Sequence, residues 1–311
     1  MDAVHTFDIT KRFGNFCAVD HVNLQIGHEV FGMLGPNGAG KTTLARMLTT
    51  VLPPTEGTAV VAGTDIRTEP DKVRRRIGVV TQATTLDFEL SAYENMDIYG
   101  QYFDVPRQLR KERINSLLEV VGLADRANSL VGGFSGGMKR RLEIVRSLVH
   151  EPEMLFLDEP TTGLDPVARA AVWEYLVKLH KDQGITLIIT THFMDEAEGL
   201  CDRLVIVDHG KIVALGNPEE LKRQVSKGDI IEADFSSAPE TALNALKSAD
   251  FVLDIKRQSS LLTIHVNNGA EAIPKIIEIT DANGSKVRTI ALREITMDDV
   301  VLNYTGRSLR E

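Results

Sequence analysis

The sequence predicts an α/β core with a mostly parallel sheet, joined to a smaller α+β unit of the ferredoxin-like kind. Two patterns predict it. Short apolar runs at 30–34, 77–80, 154–157, 185–190 and 204–207 lack polar alternation and read as strands buried on both faces, with amphipathic helical stretches between them. Beyond Leu221 the order becomes strand 229–235, helix 239–247, strand 251–257, strand 261–266, helix 270–280 and strand 286–292. That series is βαββαβ, and a short helix at 297–304 closes it.

Size and charge agree with this division. A chain of 311 residues is long for one domain of ~150 residues. The expected layout is a first domain over 1–222, a polar linker over 223–228 and an accessory domain over 229–311. With 35 Lys+Arg against 44 Asp+Glu the net charge is −9, which argues against nucleic acid as a partner. No run approaches the ~20 apolar residues of a membrane span, and the N-terminal MDAVHTFDITKRFG lacks an apolar signal core. Cys17 and Cys201 form no metal-spaced pair, so a reducing compartment is expected.

Each element has its own warrant. Leu44, Met47, Leu48 and Val51 form one helical stripe after the strand 30–34. The stretch 86–149 carries helical patterns such as Ile114, Leu117, Leu118 and Val121, with no convincing strand, and reads as a helical subdomain inserted in the core. Ala168, Ala171, Val172, Tyr175, Leu176 and Leu179 mark a further helix, with Asp165 as N-cap and Pro166 at its first position. Lys72-Val-Arg-Arg-Arg76 reads as a solvated face rather than a binding patch.

Gly35-Pro36-Asn37-Gly38-Ala39-Gly40-Lys41-Thr42 matches G-x-x-x-x-G-K-[ST], and Thr43 follows it. The motif lies between a strand and a helix, where backbone N–H groups and the helix N-terminus form a cradle for phosphate. Lys41 is then expected to neutralise the β- and γ-phosphates of a nucleotide, and the Thr42 hydroxyl to ligate Mg²⁺. The run 154–157 ends in Asp158-Glu159, at the strand edge where open α/β sheets hold ligands. Alone, two acids there read as a solvated turn. With a P-loop upstream, Asp158 is expected on Mg²⁺ and Glu159 on the attacking water.

With Gln82, Phe134-Ser135-Gly136-Gly137-Met138, Gly163-Leu164-Asp165 and His192 added in this order, the chain resembles the ATPase subunit of ABC transporters from about residue 7 to 221. Phe134-Ser-Gly-Gly-Met departs at both ends from the family signature Leu-Ser-Gly-Gly-Gln but keeps its Ser-Gly-Gly centre. The resemblance implies that Ser135, Gly136 and Gly137 close over the γ-phosphate held by a second subunit. It further implies that Gln82 reaches Mg²⁺, that His192 contacts the γ-phosphate and the catalytic carboxylate, and that Asp165 lies at the subunit interface. Phe13 occupies the position of the aromatic that stacks on adenine; core packing, with Phe16 nearby, is the competing reading. The tail from Thr296 to Arg307 resembles the C-terminal motif of daunorubicin-resistance-type ATPases, with Val300, Val301 and Tyr304 on one helical face.

The implied activity is MgATP hydrolysis in a head-to-tail homodimer. It would drive export of a small-molecule, lipid or polysaccharide cargo through a separate polytopic permease, at the cytoplasmic face of the cell membrane. A soluble ABC ATPase of the translation or DNA-repair type is the alternative. Those types carry two cassettes, or a cassette interrupted by coiled coil or zinc elements, and neither feature is present. A regulatory role dominated by the C-terminal domain is the other.

Overall fold

The computed structural model describes residues 2–225, 228–235, 240–258 and 261–306. They form two compact units that divide between Pro218 and Glu219. The helix Pro218–Val225 occupies part of the expected linker. Its composition explains the misreading: Glu219 and Glu220 begin the helix and Lys222 and Arg223 end it, which suits the helix dipole yet reads as a polar connector. Leu221 is fully buried.

The first unit contains two sheets. An antiparallel sheet in the order Phe16–Val22, Val4–Phe13, Glu56–Val61, Thr64–Asp65, with Gln25–Ile26 also on Val4–Phe13, went unread in the sequence. Bulges interrupt its alternation, with register shifts between Ile9 and Lys11 and between Phe7 and Thr10. The central sheet runs Lys211–Gly216, Arg203–Asp208, Val30–Leu34, Thr186–Thr191, Met154–Asp158, Ile77–Val80. Its pairings are parallel except for the edge strand Lys211–Gly216. Val30–Leu34 is buried at all five positions, as a strand covered on both faces must be.

The register sets the site. Leu34 stands opposite Thr191, and Asp158 opposite Thr190. The P-loop, the acidic pair and His192 therefore leave the sheet along one carboxyl edge.

The helix Lys41–Leu48 buries Leu44, Met47 and Leu48 but ends before Val51, which is exposed. Thr50, at φ 62, reverses the chain, and Pro53-Pro54 prevents continuation. The region 86–149 holds the helices Ala92–Tyr102, Arg107–Val120 and Gly136–Arg146 and, among the described residues, no strand. Ser91 and Glu94 close a capping box on the first of these. In the helix Pro166–Gln183, Ala171 is exposed, and the buried stripe is Val172, Tyr175, Leu176 and Leu179.

The second unit is a four-stranded antiparallel sheet in the order Val252–Gln258, Leu261–Val266, Asp229–Phe235, Val287–Arg293. Alternate residues Ile231, Ala233, Phe235, Leu262, Ile264 and Val266 share one core with Leu243 and Leu246 of the helix Glu240–Lys247 and Ala272 and Ile276 of Gly269–Ala282. The helix Met297–Thr305 buries Val300 and Val301, while Tyr304 hydroxyl donates to Gln224 Oε1 at 2.9 Å. Residue 239 of the expected helix and Arg307 of the tail motif lie outside the described residues.

Candidate active site

Glycine is required at two points of the P-loop by contact with other strands. A Cβ on Gly35 would lie 2.2 Å from Val207 O, and one on Gly40, at φ +109, would lie 2.4 Å from Ala18 O. The loop is thereby pressed between Arg203–Asp208 and Phe16–Val22. Pro36 and Ala39 are buried, while Asn37 and Gly38 are exposed at its rim. Lys41 is 5% exposed, and its Nζ donates to Gly35 O at 2.6 Å and Pro36 O at 3.1 Å. Burial pulls the ammonium below the ordinary lysine value, and the charges of Glu159 and Asp158 push it back up.

Thr42 and Thr43 are half-buried on the first turn of the helix. Thr42 Oγ1 donates to Asp158 Oδ1 at 3.2 Å, and the Thr190 hydroxyl donates to the same oxygen. Glu159 has φ 48, a left-handed conformation costing a non-glycine residue on the order of 1–3 kcal/mol. Its N–H donates to Thr190 O at 3.0 Å. Three groups reach its carboxylate: His192 Nδ1 lies 3.1 Å from Oε1, while Gln82 Nε2 at 3.0 Å and Thr162 Oγ1 at 3.1 Å donate to Oε2. Lys41, Thr42, Gln82, Asp158, Glu159 and His192 thus form one cluster.

Three sets of expected residues share no hydrogen bond with it among the described residues. Ser135 caps its helix, with Met138 N donating to Ser135 Oγ at 3.3 Å. Gly136 and Gly137 pack toward Leu164 and Ala168, where a Cβ on Gly137 would lie 2.8 Å from the Ala168 Cβ. Among the described residues none of the hydrogen bonds of Ser135, Gly136 or Gly137 goes to the P-loop. Phe13 and Phe16 pair across a tight hairpin and are 50% and 62% exposed, which excludes core packing for both. Lys11 Nζ stands 5.4 Å from the Phe13 ring. Asp165 Oδ1 accepts from Val167 N and Ala168 N, an N-cap in full.

Several residues near the cluster were missed in the sequence. Thr190 holds Asp158. Glu196, 1% exposed, accepts from the Thr161 and Thr191 hydroxyls and from Trp173 Nε1. Arg140 and Glu143 are buried on the helix after Ser135. Opposite charges three apart on a helix that also buries Leu142, Ile144 and Val145 were the available signal. Lys72, Arg74, Arg75 and Arg76 pair with Glu69, Asp71, Asp104 and Glu153.

The cluster fits a metal-bound nucleotide. A buried ammonium bonded to carbonyls, glycines whose Cβ would collide, and a hydroxyl beside a carboxylate supply cation, backbone cradle and hard oxygen ligands. This is a P-loop nucleotide-hydrolase cassette with an inserted helical subdomain.

Comparison with known proteins narrows the class. Residues 19–162 match the ABC transporter family model. The chain is 39% identical over 303 residues to daunorubicin resistance ATP-binding protein DrrA3 of Streptomyces coeruleorubidus, covering 96% of this chain and 95% of that one. It is 37% identical over 304 residues to Nod factor export ATP-binding protein I of Ralstonia nicotianae, covering 97% and 94%. Among solved structures, cbiO1 of Clostridium perfringens, part of an ABC transporter complex, matches with TM-score 0.65 at 29% identity, covering 72% of this chain and 94% of that one. An ABC transporter cassette in its ADP conformation matches with TM-score 0.63 at 29% identity, covering 71% and 92%. The chain belongs to the ABC transporter family, among ATP-binding subunits of the daunorubicin-resistance type. It is an ATP hydrolase that uses ATP with Mg²⁺.

Proposed function

We propose that this chain is the motor of an exporter: two copies pair head to tail, hydrolyse MgATP, and drive a separate polytopic permease from the cytoplasmic face of the membrane. One observation carries the reading. Each chain has one P-loop cluster and one Ser135-Gly136-Gly137 helix cap, and among the described residues no hydrogen bond joins the cap to the cluster. A helix N-terminus carrying Ser and two glycines is a second anion site, so a two-fold pair of chains completes two nucleotide sites. Among the described residues no helix is long and apolar enough to cross a membrane, and the relatives are named as resistance and export ATP-binding proteins. Both observations support a separate spanning subunit. Cargo choice, among small molecules, lipids and polysaccharides, then belongs to that subunit.

Within the site, Lys41 and the N–H groups of 37–43 hold the β- and γ-phosphates, and Phe13 offers its exposed face to adenine. Thr42, Asp158 and Gln82 would hold Mg²⁺, which when bound neutralises charge on the transferred phosphoryl group. Glu159 accepts a proton from, and so orients, the attacking water; His192 and Gln82 fix its carboxylate. Ser135 and its two glycines meet the γ-phosphate of the partner's nucleotide.

The test combines stoichiometry with location. Glu159→Gln with MgATP should elute as a dimer, and the wild-type chain should sediment with membranes when its permease is co-expressed. A chain that stays monomeric and wholly soluble under both conditions contradicts the reading.

A further inference from the structure

Arg140 is one turn into the helix that Ser135 caps, yet it is 6% exposed and points into the molecule. All five of its N–H donors are used. Nε donates to Pro160 O at 2.6 Å, and Nη1 donates to Thr81 O at 2.7 Å and Glu143 Oε2 at 3.0 Å. Nη2 donates to Asp158 O at 3.1 Å and Glu159 O at 3.2 Å. Four of the five acceptors are main-chain carbonyls, three of them consecutive, and Thr81 directly precedes Gln82. No other cation in the site carries a planar fork able to bridge such a set.

These carbonyls belong to a segment that needs restraint. Glu159 is left-handed at φ 48, a conformation that persists only where its surroundings hold both sides of it. Its N–H side is held by Thr190 O. Its carbonyl side, and the next carbonyl at Pro160, are held by Arg140. The same guanidinium fixes the residue before Gln82, whose amide donates to Glu159 Oε2 at 3.0 Å. Glu143, 5% exposed, balances the charge and accepts from Thr85 N at 2.9 Å through its other oxygen. Arg146 Nη1 donates to Thr85 O at 2.8 Å. The segment 81–85 is therefore tied at both ends to the Ser135 helix.

We propose that Arg140 is a positioning residue for ATP hydrolysis: by gripping the carbonyls of Thr81, Asp158, Glu159 and Pro160 it sets the Glu159 carboxylate and the Gln82 amide against the reacting phosphate. This rests on the reading of Glu159 as the residue that orients water. Arg140 itself touches neither nucleotide nor water. Its loss acts through the backbone, on turnover more than on binding, because the P-loop and Lys41 share none of its hydrogen bonds.

The test is steady-state ATPase kinetics with thermal melting on the full chain. Arg140→Gln alone would leave the buried Glu143 carboxylate without its cation, so the informative variant is Arg140→Gln with Glu143→Gln. Its kcat should fall roughly 10- to 100-fold, the scale of a small misplacement of reacting groups, while the KM for MgATP moves less than about threefold. Arg140→Lys keeps the charge with three donors and should recover part of that loss. A double variant with kcat within twofold of wild type, alongside an inactive Glu159→Gln, overturns the proposal. So does a parallel loss of kcat, MgATP affinity and melting temperature, which reduces Arg140 to packing. Wild-type turnover in Glu159→Gln would instead defeat the reading of Glu159, and this proposal with it.

Discussion

Lys41 Nζ lies 2.6 Å from the carbonyl oxygen of Gly35, the first residue of its own loop. The ammonium is buried and meets carbonyl oxygens rather than a carboxylate in direct contact. Its partners are partial charges, so it keeps most of its capacity to attract an anion. Lys41→Ala should therefore weaken MgATP binding by roughly 10- to 100-fold, the worth of a charge-assisted hydrogen bond. Titration calorimetry checks this, and unchanged affinity would count against the cradle.

Glu159 is placed for a different effect. Its carboxylate is held by His192, Gln82 and Thr162, and Glu159→Gln keeps the size and most of those contacts while removing the basic oxygen. ATP affinity should stay within a few-fold of wild type, and kcat should fall at least ~100-fold, as for loss of a general base. Single-turnover hydrolysis with radiolabelled ATP separates the two effects. A variant hydrolysing at wild-type rate would remove Glu159 from the proposed role.

How much of this could be read in advance depends on the range of the interaction. The P-loop, Asp158-Glu159 and the Ser135 cap are local in sequence, and strands such as Val30–Leu34 and Ile77–Val80 carry unbroken apolar runs. The antiparallel sheet around Val4–Phe13 was hidden because bulges break its period of two. Arg140, Thr190 and Glu196 were hidden for another reason. Each acts through groups distant in sequence, as where Arg140 grips Thr81 O, and on its own each reads as a surface or strand residue. Val51 was misassigned because periodicity continues past Thr50, where the backbone turns.

The P-loop strand offers a packing test. A Cβ on Gly32 would lie 2.7 Å from Cys201 Sγ and 3.2 Å from Leu204 Cβ, inside a strand buried throughout. Gly32→Ala should destabilise the first unit by on the order of 1–3 kcal/mol through overpacking. Melting should fall roughly 2–4 °C per kcal/mol. Adding Cys201→Ala removes the sulfur and should restore part of the loss. Additive losses in the double variant would show that the thiol is not what the new methyl meets.

His150 makes stability depend on pH. It follows the Ser135 helix, its ring stacks on Phe103 at 3.9 Å and 11°, and Nε2 donates to Ile77 O at 3.0 Å. Burial, the largest cause, lowers its pKa from 6.5 to about 4; the bond to Ile77 opposes this and the Arg113 charge adds to it. The unfolded chain takes up a proton as pH falls through about 6.5, while the folded chain stays neutral until about 4. The unfolded state thus binds more protons in that window, and stability falls with falling pH. Between pH 7 and pH 5 this one group should contribute a loss on the order of 2 kcal/mol. Carboxylate protonation overlaps the lower end of this window, so the measurement is a difference. Urea unfolding at both pH values should show a smaller pH-dependent loss in His150→Gln, which keeps an amide donor for Ile77 O without a titrating ring. Equal losses in the two proteins would mean that His150 protonates as readily in the folded chain as in the unfolded one.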